Sequence, residues 1–503
     1  MKIKILIILF LILSCNNGYG QGYNHQWLLG SYNFFQDPKG RILFDSGSYS
    51  LVNENRKMVF KGTQANMSDA GGNLLMSSNG VWIANATGDT MMNGSGLNPS
   101  PFTSNWPNGF PISFGNVALP FPGDTNSLAL FHKTLWATLS PTKIGLYYSK
   151  IDLSLNAGLG EVIIKNDTIL VDTLSFGIGA CRHSNGKDWW VITMRDRNPE
   201  IYTILLTQNG IDTIFIQPTA FQSNRYGNVS PLVFSPDGKK LICCAPRDQG
   251  SGGSVSNGSV LFYDFDRCTG IISNFNSVEV SPISYLWGLA ISPSGNYAYA
   301  CNSNYIFQIN INNFSVDTVA QYDGFVSPVG SSCCPTSFWS MYLAANGKIY
   351  VTSGSGVQHI HEINYPDSAG IACDVQQHAI DLGYAQLRSV PNHPNYYLGC
   401  DTALGCLCLT TGIEELGGHE FRFNVAPNPT SGDFKITYLL PQNRPGKLEV
   451  FDINGRRIYE MNLPHWSTMQ EVLLPKSISS GVYNCVINSG AERGSKKVVV
   501  FRE

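Results

Sequence analysis

A tight turn closing on glycine, set between two short apolar strands, recurs along this chain, and its spacing constrains the fold more than any other feature. The clearest copies are Leu232 to Ile242 around Ser235-Pro236-Asp237-Gly238, Leu289 to Tyr299 around Ser292-Pro293-Ser294-Gly295, and Tyr342 to Val351 around Asn346-Gly347. In each, turn-forming residues stand where a hairpin needs a preset or positive φ, with strand formers on both sides. Gly186 lies 52 residues before Gly238, Gly295 follows 57 later and Gly347 a further 52; Gly72 and Gly123 extend the series upstream. The mean period of the six glycines is 55 residues.

Each copy is followed by a second strand pair, such as Val260 to Phe265 or Tyr305 to Ile309. A four-stranded sheet alone keeps two open edges and a half-covered face, so copies have to pack around an axis. The period is near the length of one propeller blade with generous loops. Residues 22 to 405 hold seven such units, which predicts an all-β, seven-bladed β-propeller, with six or eight blades as alternatives. Ring closure is expected from both chain ends, the strands around Trp27 to Leu29 and Ile42 to Val52 joining strands from Val375 to Leu398.

Composition agrees with this class. Charged residues make up 14% of the 503, while Gly numbers 50, Phe 26 and Tyr 23, which suits many short strands joined by turns. The net charge of -3 comes without any long basic run, so no phosphate backbone has an electrostatic footprint here, and nucleic acid is not expected as a partner.

Residues 1–20 have the layout of a signal peptide: Lys2 and Lys4, an apolar run from Ile5 to Leu13, then small and polar residues. Cleavage before Gln21 at Gly18-Tyr19-Gly20 is the expected outcome; the competing reading is a lipobox at Ile12-Leu13-Ser14-Cys15, with Cys15 lipidated. No later apolar run is long enough for a transmembrane span. Of thirteen cysteines, twelve stay after such cleavage, and an oxidising compartment would permit disulfides whose connectivity is open. For Cys406 and Cys408, a disulfide or free thiols are expected over zinc, because no second pair stands at metal-ligand spacing.

Candidate chemistry is sparse. Arg182-His183-Ser184-Asn185-Gly186-Lys187-Asp188 gathers an imidazole and a carboxylate, making His183 and Asp188 the candidates for a channel site. The run occupies the place of Ser-Pro-Asp-Gly in other copies, so a self-capping turn is the expected role. His359 and His361 share a strand face and could bridge a metal, but no third ligand follows at helpful spacing. Asp264 and Asp266 lack a calcium-loop pattern. No catalytic residue, metal site or cofactor is expected. Trp82, Trp106, Trp136, Trp189, Trp190, Trp287 and Trp339 could stack on sugars or fill the core.

Residues 409–422, with Thr410-Thr411-Gly412 and Gly417-Gly418, read as a linker between a 21–408 propeller and a 423–503 domain. Alternation at Phe434, Ile436 and Tyr438, and a hairpin turn at Asn454-Gly455, predict a small immunoglobulin-like β-sandwich there. Pro427-Asn428-Pro429-Thr430-Ser431-Gly432, then Asp452 and Gly455, Gly481 and Tyr483, and Lys496-Lys497 resemble the C-terminal sorting domain of the type IX secretion system of Bacteroidetes. The stretch Asp69 to Leu75, Tyr147 to Gly160 and Pro391-Asn392 likewise resemble the propellers of secreted and gliding-motility-associated proteins of that phylum. The resemblance implies passage through Sec and the periplasm, handling by type IX machinery and a sortase, and an extracellular or outer-surface location. It implies no reaction. The expected task is binding or adhesion, to a surface glycan or protein; the alternative is a hydrolase or lactonase-like enzyme with its site at the channel. Triplets such as Asp167-Thr168-Ile169, Asp172-Thr173-Leu174 and Asp212-Thr213-Ile214 resemble the O-glycosylation sequon of Bacteroidetes.

Overall fold

The computed structural model describes residues 22–31, 38–45, 47–137, 143–195, 200–220, 231–245, 258–280, 285–328, 334–401, 406, 422–426, 430, 435–440, 445–463, 470–473, 478–490 and 492–501. The signal segment with Cys15 and Gln21, residues 409–421 of the linker, and Pro427, Asn428, Pro429, Ser431 and Gly432 lie outside these. The chain divides into two compact units, one of residues 20–418 and one built on residues 419–503.

The first unit is built mainly of antiparallel meanders. The first sheet has three strands, Gln26–Leu29, Lys39–Asp45 and Ser48–Glu54. An eight-stranded sheet follows, consisting of two four-stranded meanders, Ala65–Ser68 to Thr90–Ser95 and Asn116–Pro120 to Glu161–Asp172. Their outermost strands meet at one parallel pair, Glu161 with Met92. Four four-stranded sheets complete the set, with inner strands Gly179–Arg182, Leu232–Phe234, Gly288–Ile291 and Phe338–Leu343. Inner strands of neighbouring sheets touch, and the first sheet packs on both the last and the second: Trp27 and Phe44 pack with Tyr350 and Leu382, while Leu28 packs with Met58 and Ala84.

The recurring glycines all stand in the turn between the inner and second strand of their sheets, with φ from +73° to +85°. Five turns are the same: the glycine N–H donates to the residue three before it, as from Gly186 to His183 (2.9 Å), Gly238 to Ser235 (2.8 Å) and Gly347 to Ala344 (3.0 Å). Gly123 differs, since there Asp124 N–H closes on Phe121. These turns span five or six residues, whereas the connections from one sheet to the next, on the opposite side, span six to twenty. The ring therefore has a short-turn face and a long-loop face.

Ring closure departs from expectation. Val375–Gln386 is the outermost strand of the last sheet, paired with Val357–Ile363, and does not join the N-terminal strands. The first sheet also runs the other way: Gln26–Leu29 begins beside the Gly72 turn and ends where Gly30 N–H donates to Gln386 Oε1 (3.0 Å) and Ser31 N–H to Ala385 (3.0 Å). Its inner position is taken by residues 388–397, which pass antiparallel to it until Tyr397 Oη accepts from Tyr23 N–H (2.9 Å). Pro391 and Pro394 have no N–H to give, so this segment forms no ladder.

The second unit holds a three-stranded sheet, Arg422–Ala426, Lys435–Leu439 and Gln470–Leu473, and a four-stranded one, Gly446–Phe451, Arg457–Leu463, Gly481–Ser489 and Glu492–Val500. Both feed one core that includes Ile436, Leu448, Val450, Ile487 and Val498.

Candidate functional site

The bore of the ring is the place where a propeller enzyme would keep its chemistry, and here the chain's own segment 389–401 fills it. Asn392 Nδ2 donates to the carbonyls of Asn116 (3.1 Å) and Ile178 (2.7 Å), and His393 Nε2 donates to Asn66 (2.7 Å). Tyr342 Oη donates to His393 O (2.5 Å), Asn395 Nδ2 to Pro236 O (2.7 Å), and Tyr396 Oη to Ala118 O (2.9 Å). The partners lie in, or next to, the inner strands of five different meanders. Val390, Asn392, His393 and Tyr396 are all buried. Beside them a cavity of about 40 Å³ is lined by Cys181, Leu232, Phe234, Tyr342 and His393, about enough for one or two waters.

At the short-turn end the segment is tied down. Arg182 Nη1 donates to Tyr396 O (3.2 Å), Arg267 Nη2 to Gly399 O (2.7 Å), and Asp401 N–H to Ser184 O (2.8 Å). Cys268 is disulfide-bonded to Cys406. Cys334 and Cys400 each take part in a disulfide as well, while Cys181, Cys243, Cys244, Cys301, Cys373 and Cys485 are buried free thiols.

His183 and Asp188 sit in the turn between Gly179–Arg182 and Trp189–Met194. His183 Nδ1 accepts from Asn185 N–H (3.0 Å), Asn185 Nδ2 donates to Asp188 Oδ2 (2.7 Å), and His183 stacks near Trp190. Burial holds the imidazole below its ordinary value, against the opposing pull of Asp188. The pair is engaged in shaping its own hairpin, with Arg267 alongside, its Nη2 3.5 Å from His183 O. His361 is fully buried, donating from Nε2 to Thr336 O (2.7 Å) and accepting at Nδ1 from His378 N–H (2.9 Å); desolvation lowers it to about 4. His359 instead meets Ser327 (3.2 Å). No group of residues able to hold a metal occurs among the described residues. Asp264 pairs with Lys240 and accepts from Asn274 (2.6 Å), and Asp266 caps Cys268 N–H (2.7 Å).

The tryptophans divide. Trp189 is completely buried and Trp190 nearly so. Trp82, Trp106, Trp136, Trp287 and Trp339 belong to strand ends or connections on the long-loop side. Trp287 and Trp339 stack at 3.9 Å, with Tyr285 on one side (4.8 Å) and Arg388 on the other (4.6 Å), so their ring faces are already covered. Trp106 is 37% exposed. Thr168 and Thr213 are exposed on outermost strands, as are Thr90 and Thr318 in the further triplets Asp89-Thr90-Met91 and Asp317-Thr318-Val319.

The bore-filling segment was the feature least visible in sequence. Its signal is Pro391-Asn392-His393-Pro394-Asn395, where prolines forbid a ladder and amide side chains supply donors in its place.

In the second unit, Asp452 Oδ1 accepts from Asn454 N–H (3.0 Å) and Arg456 N–H (2.9 Å), and Gly455 takes φ +76°, so these two motif residues build one turn. Tyr483 donates to Ser479 O (2.8 Å); Gly481 opens its strand, and Lys496 and Lys497 are exposed on the last one. No helix of the described residues is long and apolar enough to cross a membrane.

No curated protein matches this chain. Among solved structures, hydrazine synthase of Kuenenia stuttgartiensis is similar at 11% identity and TM-score 0.34, covering 75% of this chain and 100% of that one. The β-propeller domain of Cps50 (Swd1) from Myceliophteria thermophila has 10% identity and TM-score 0.34, covering 64% and 92%. A putative TolB from Agrobacterium tumefaciens has 13% identity and TM-score 0.27, covering 63% and 94%. The propeller-like arrangement stands on the strand order and touching inner strands above. Residues 424–501 match the family of the secretion system C-terminal sorting domain, which implies handling by the type IX machinery and export to the cell surface or the extracellular space.

Proposed function

We propose that this protein is a secreted or surface-displayed binding module, without catalytic activity, carried on a seven-bladed propeller and delivered by its tail. The seven blades would be the three-stranded sheet, completed by residues 388–397, and the six four-stranded meanders. In this reading residues 1–20 are a signal peptide removed before Gln21, and a sortase processes the tail in a bacterium of the Bacteroidetes. Seven strands in two sheets, with Tyr483 bonded to the backbone four residues upstream, support an immunoglobulin-like tail.

The observation that carries the binding reading is the filled bore. A channel hydrolase needs convergent titratable groups around an open pocket. Here the bore offers buried amides and histidines bonded to carbonyls. The long-loop face is the surface that remains, since long connections on a rigid scaffold are where recognition residues concentrate. Its ligand is a surface glycan or protein, met by Trp106 and by the exposed edges of the Trp287–Trp339 stack.

Glycan-array binding by the secreted chain tests this, with Trp106→Ala and Trp287→Ala on the long-loop face and Asp237→Ala on the short-turn face. Loss confined to the tryptophan variants is the expected result. Loss through Asp237→Ala alone would refute the assignment of the face. Deleting residues 423–503 should trap the protein in the periplasm, and normal surface delivery of the shortened chain would overturn the export reading.

A further inference from the structure

The segment that fills the bore is the last piece of the propeller in chain order, and every strand it touches precedes it. It is held by side chains on backbone carbonyls, not by a ladder, so it can enter or leave without unpairing any strand. Among the ties on its far end, two come from one turn, the one between Gly258–Phe265 and Ile272–Val280. Arg267 donates to Gly399 O (2.7 Å) and, through Nε, to Arg182 O (2.9 Å); Cys268 bonds covalently to Cys406, closing a loop of 138 residues. The sorting domain follows Cys406 in the chain, so a pull on the tail reaches the fold at Cys406 before it reaches the bore.

We infer that residues 388–401 are a clasp inserted after the sheets have formed, and that the Cys268–Cys406 disulfide is the lock that keeps it seated while the tail is handled. Locking removes two protons and two electrons from the two thiols and forms one S–S bond. The electrons pass by thiol–disulfide exchange to a protein disulfide of the oxidising compartment, which leaves as a dithiol. Before oxidation the clasp can withdraw and the ring can open between its first and last sheets. After oxidation, withdrawal would have to reopen a long covalent loop. A cut in the chain beyond Cys406 leaves the clasp in the cargo. The inference rests on the ring geometry and does not need the binding role.

Hydrogen exchange of the full chain tests it, comparing wild type with the Cys268→Ser, Cys406→Ser double variant. Amides of residues 392–397 should exchange at least about tenfold faster in the variant, while the outermost strand Glu161–Asp172 is unchanged. If the double variant fails to accumulate, the Cys406→Ala single variant, which leaves the other disulfides intact, should show the same local loosening. Equal protection of 392–397 with and without the disulfide would overturn the lock, as would loosening spread evenly over all sheets.

Discussion

Tyr396 donates its hydroxyl to the backbone carbonyl of Ala118 at 2.9 Å, across 278 residues of chain. Its ring lies edge-on to Trp189 at 6.0 Å. One side chain thus connects the bore-filling segment to Asn116–Pro120 of the eight-stranded sheet and to Trp189 of the sheet that follows it. Tyr396→Phe removes only the hydrogen bond and leaves a buried carbonyl without its donor, which should cost about 1–3 kcal/mol. Tyr396→Ala also empties a fully enclosed site and should cost about 3–5 kcal/mol. Denaturant unfolding of the two variants checks the order.

Stability should fall as the medium turns acidic. Burial lowers His132 to about 3 and His361 and His393 to about 4. Each binds its proton more readily when unfolded, near pH 6.5, so each contributes stability that is full above that pH and is lost as pH falls toward 4. The slope is about 1.4 kcal/mol per pH unit for each histidine. Urea midpoints between pH 7 and 4.5 should show the fall, and His393→Gln should flatten it; a flat wild-type profile would contradict the assignment.

Glycine at the recurrent turn should be needed to different degrees. Alanine at Gly295 faces only the positive φ, since its Cβ meets nothing closer than Pro236 at 3.7 Å, and should cost about 1 kcal/mol. At Gly238 the same Cβ would stand 2.8 Å from both Arg267 Cδ and Cys181 Sγ, beside the end of the bore segment. Gly238→Ala should therefore cost roughly 2 kcal/mol or more. Thermal unfolding of the pair measures the difference.

Asp452 should matter to export through the fold of the tail. Its carboxylate accepts from Asn454 and Arg456 N–H and from Arg456 Nε (3.2 Å). Asp452→Ala removes all three and should cost about 1–2 kcal/mol of tail stability. The secreted fraction should drop while the periplasmic fraction rises. Unchanged secretion would mean that the turn is not read.

Much of the architecture was legible because it is local. The period of Gly186, Gly238, Gly295 and Gly347 reports a turn that needs positive φ, and alternating apolar residues report strands covered on one face. The tail motifs were legible for the same reason: Asp452 and Gly455 act within five residues of each other. The His183 to Asp188 run was likewise interpretable, since Asn185 bridges its two ends. The fate of Val375–Gln386 was not, because pairing with one sheet or the next depends on which edge is free once the ring has formed.

By itself, the sequence determined an all-β chain of recurrent hairpins followed by a sorting tail, since turn chemistry, strand patterning and a linear recognition motif are properties of neighbouring residues. Only the tertiary structure decided that the bore is filled. Asn392, His393 and Tyr396 acquire their role from carbonyls of Asn66, Asn116, Ala118 and Ile178, hundreds of residues away, and those acceptors come together only when the sheets close around the segment. The same closure brings Cys268 to Cys406, with their Cα atoms 5.6 Å apart, a pairing that no spacing of cysteines could specify.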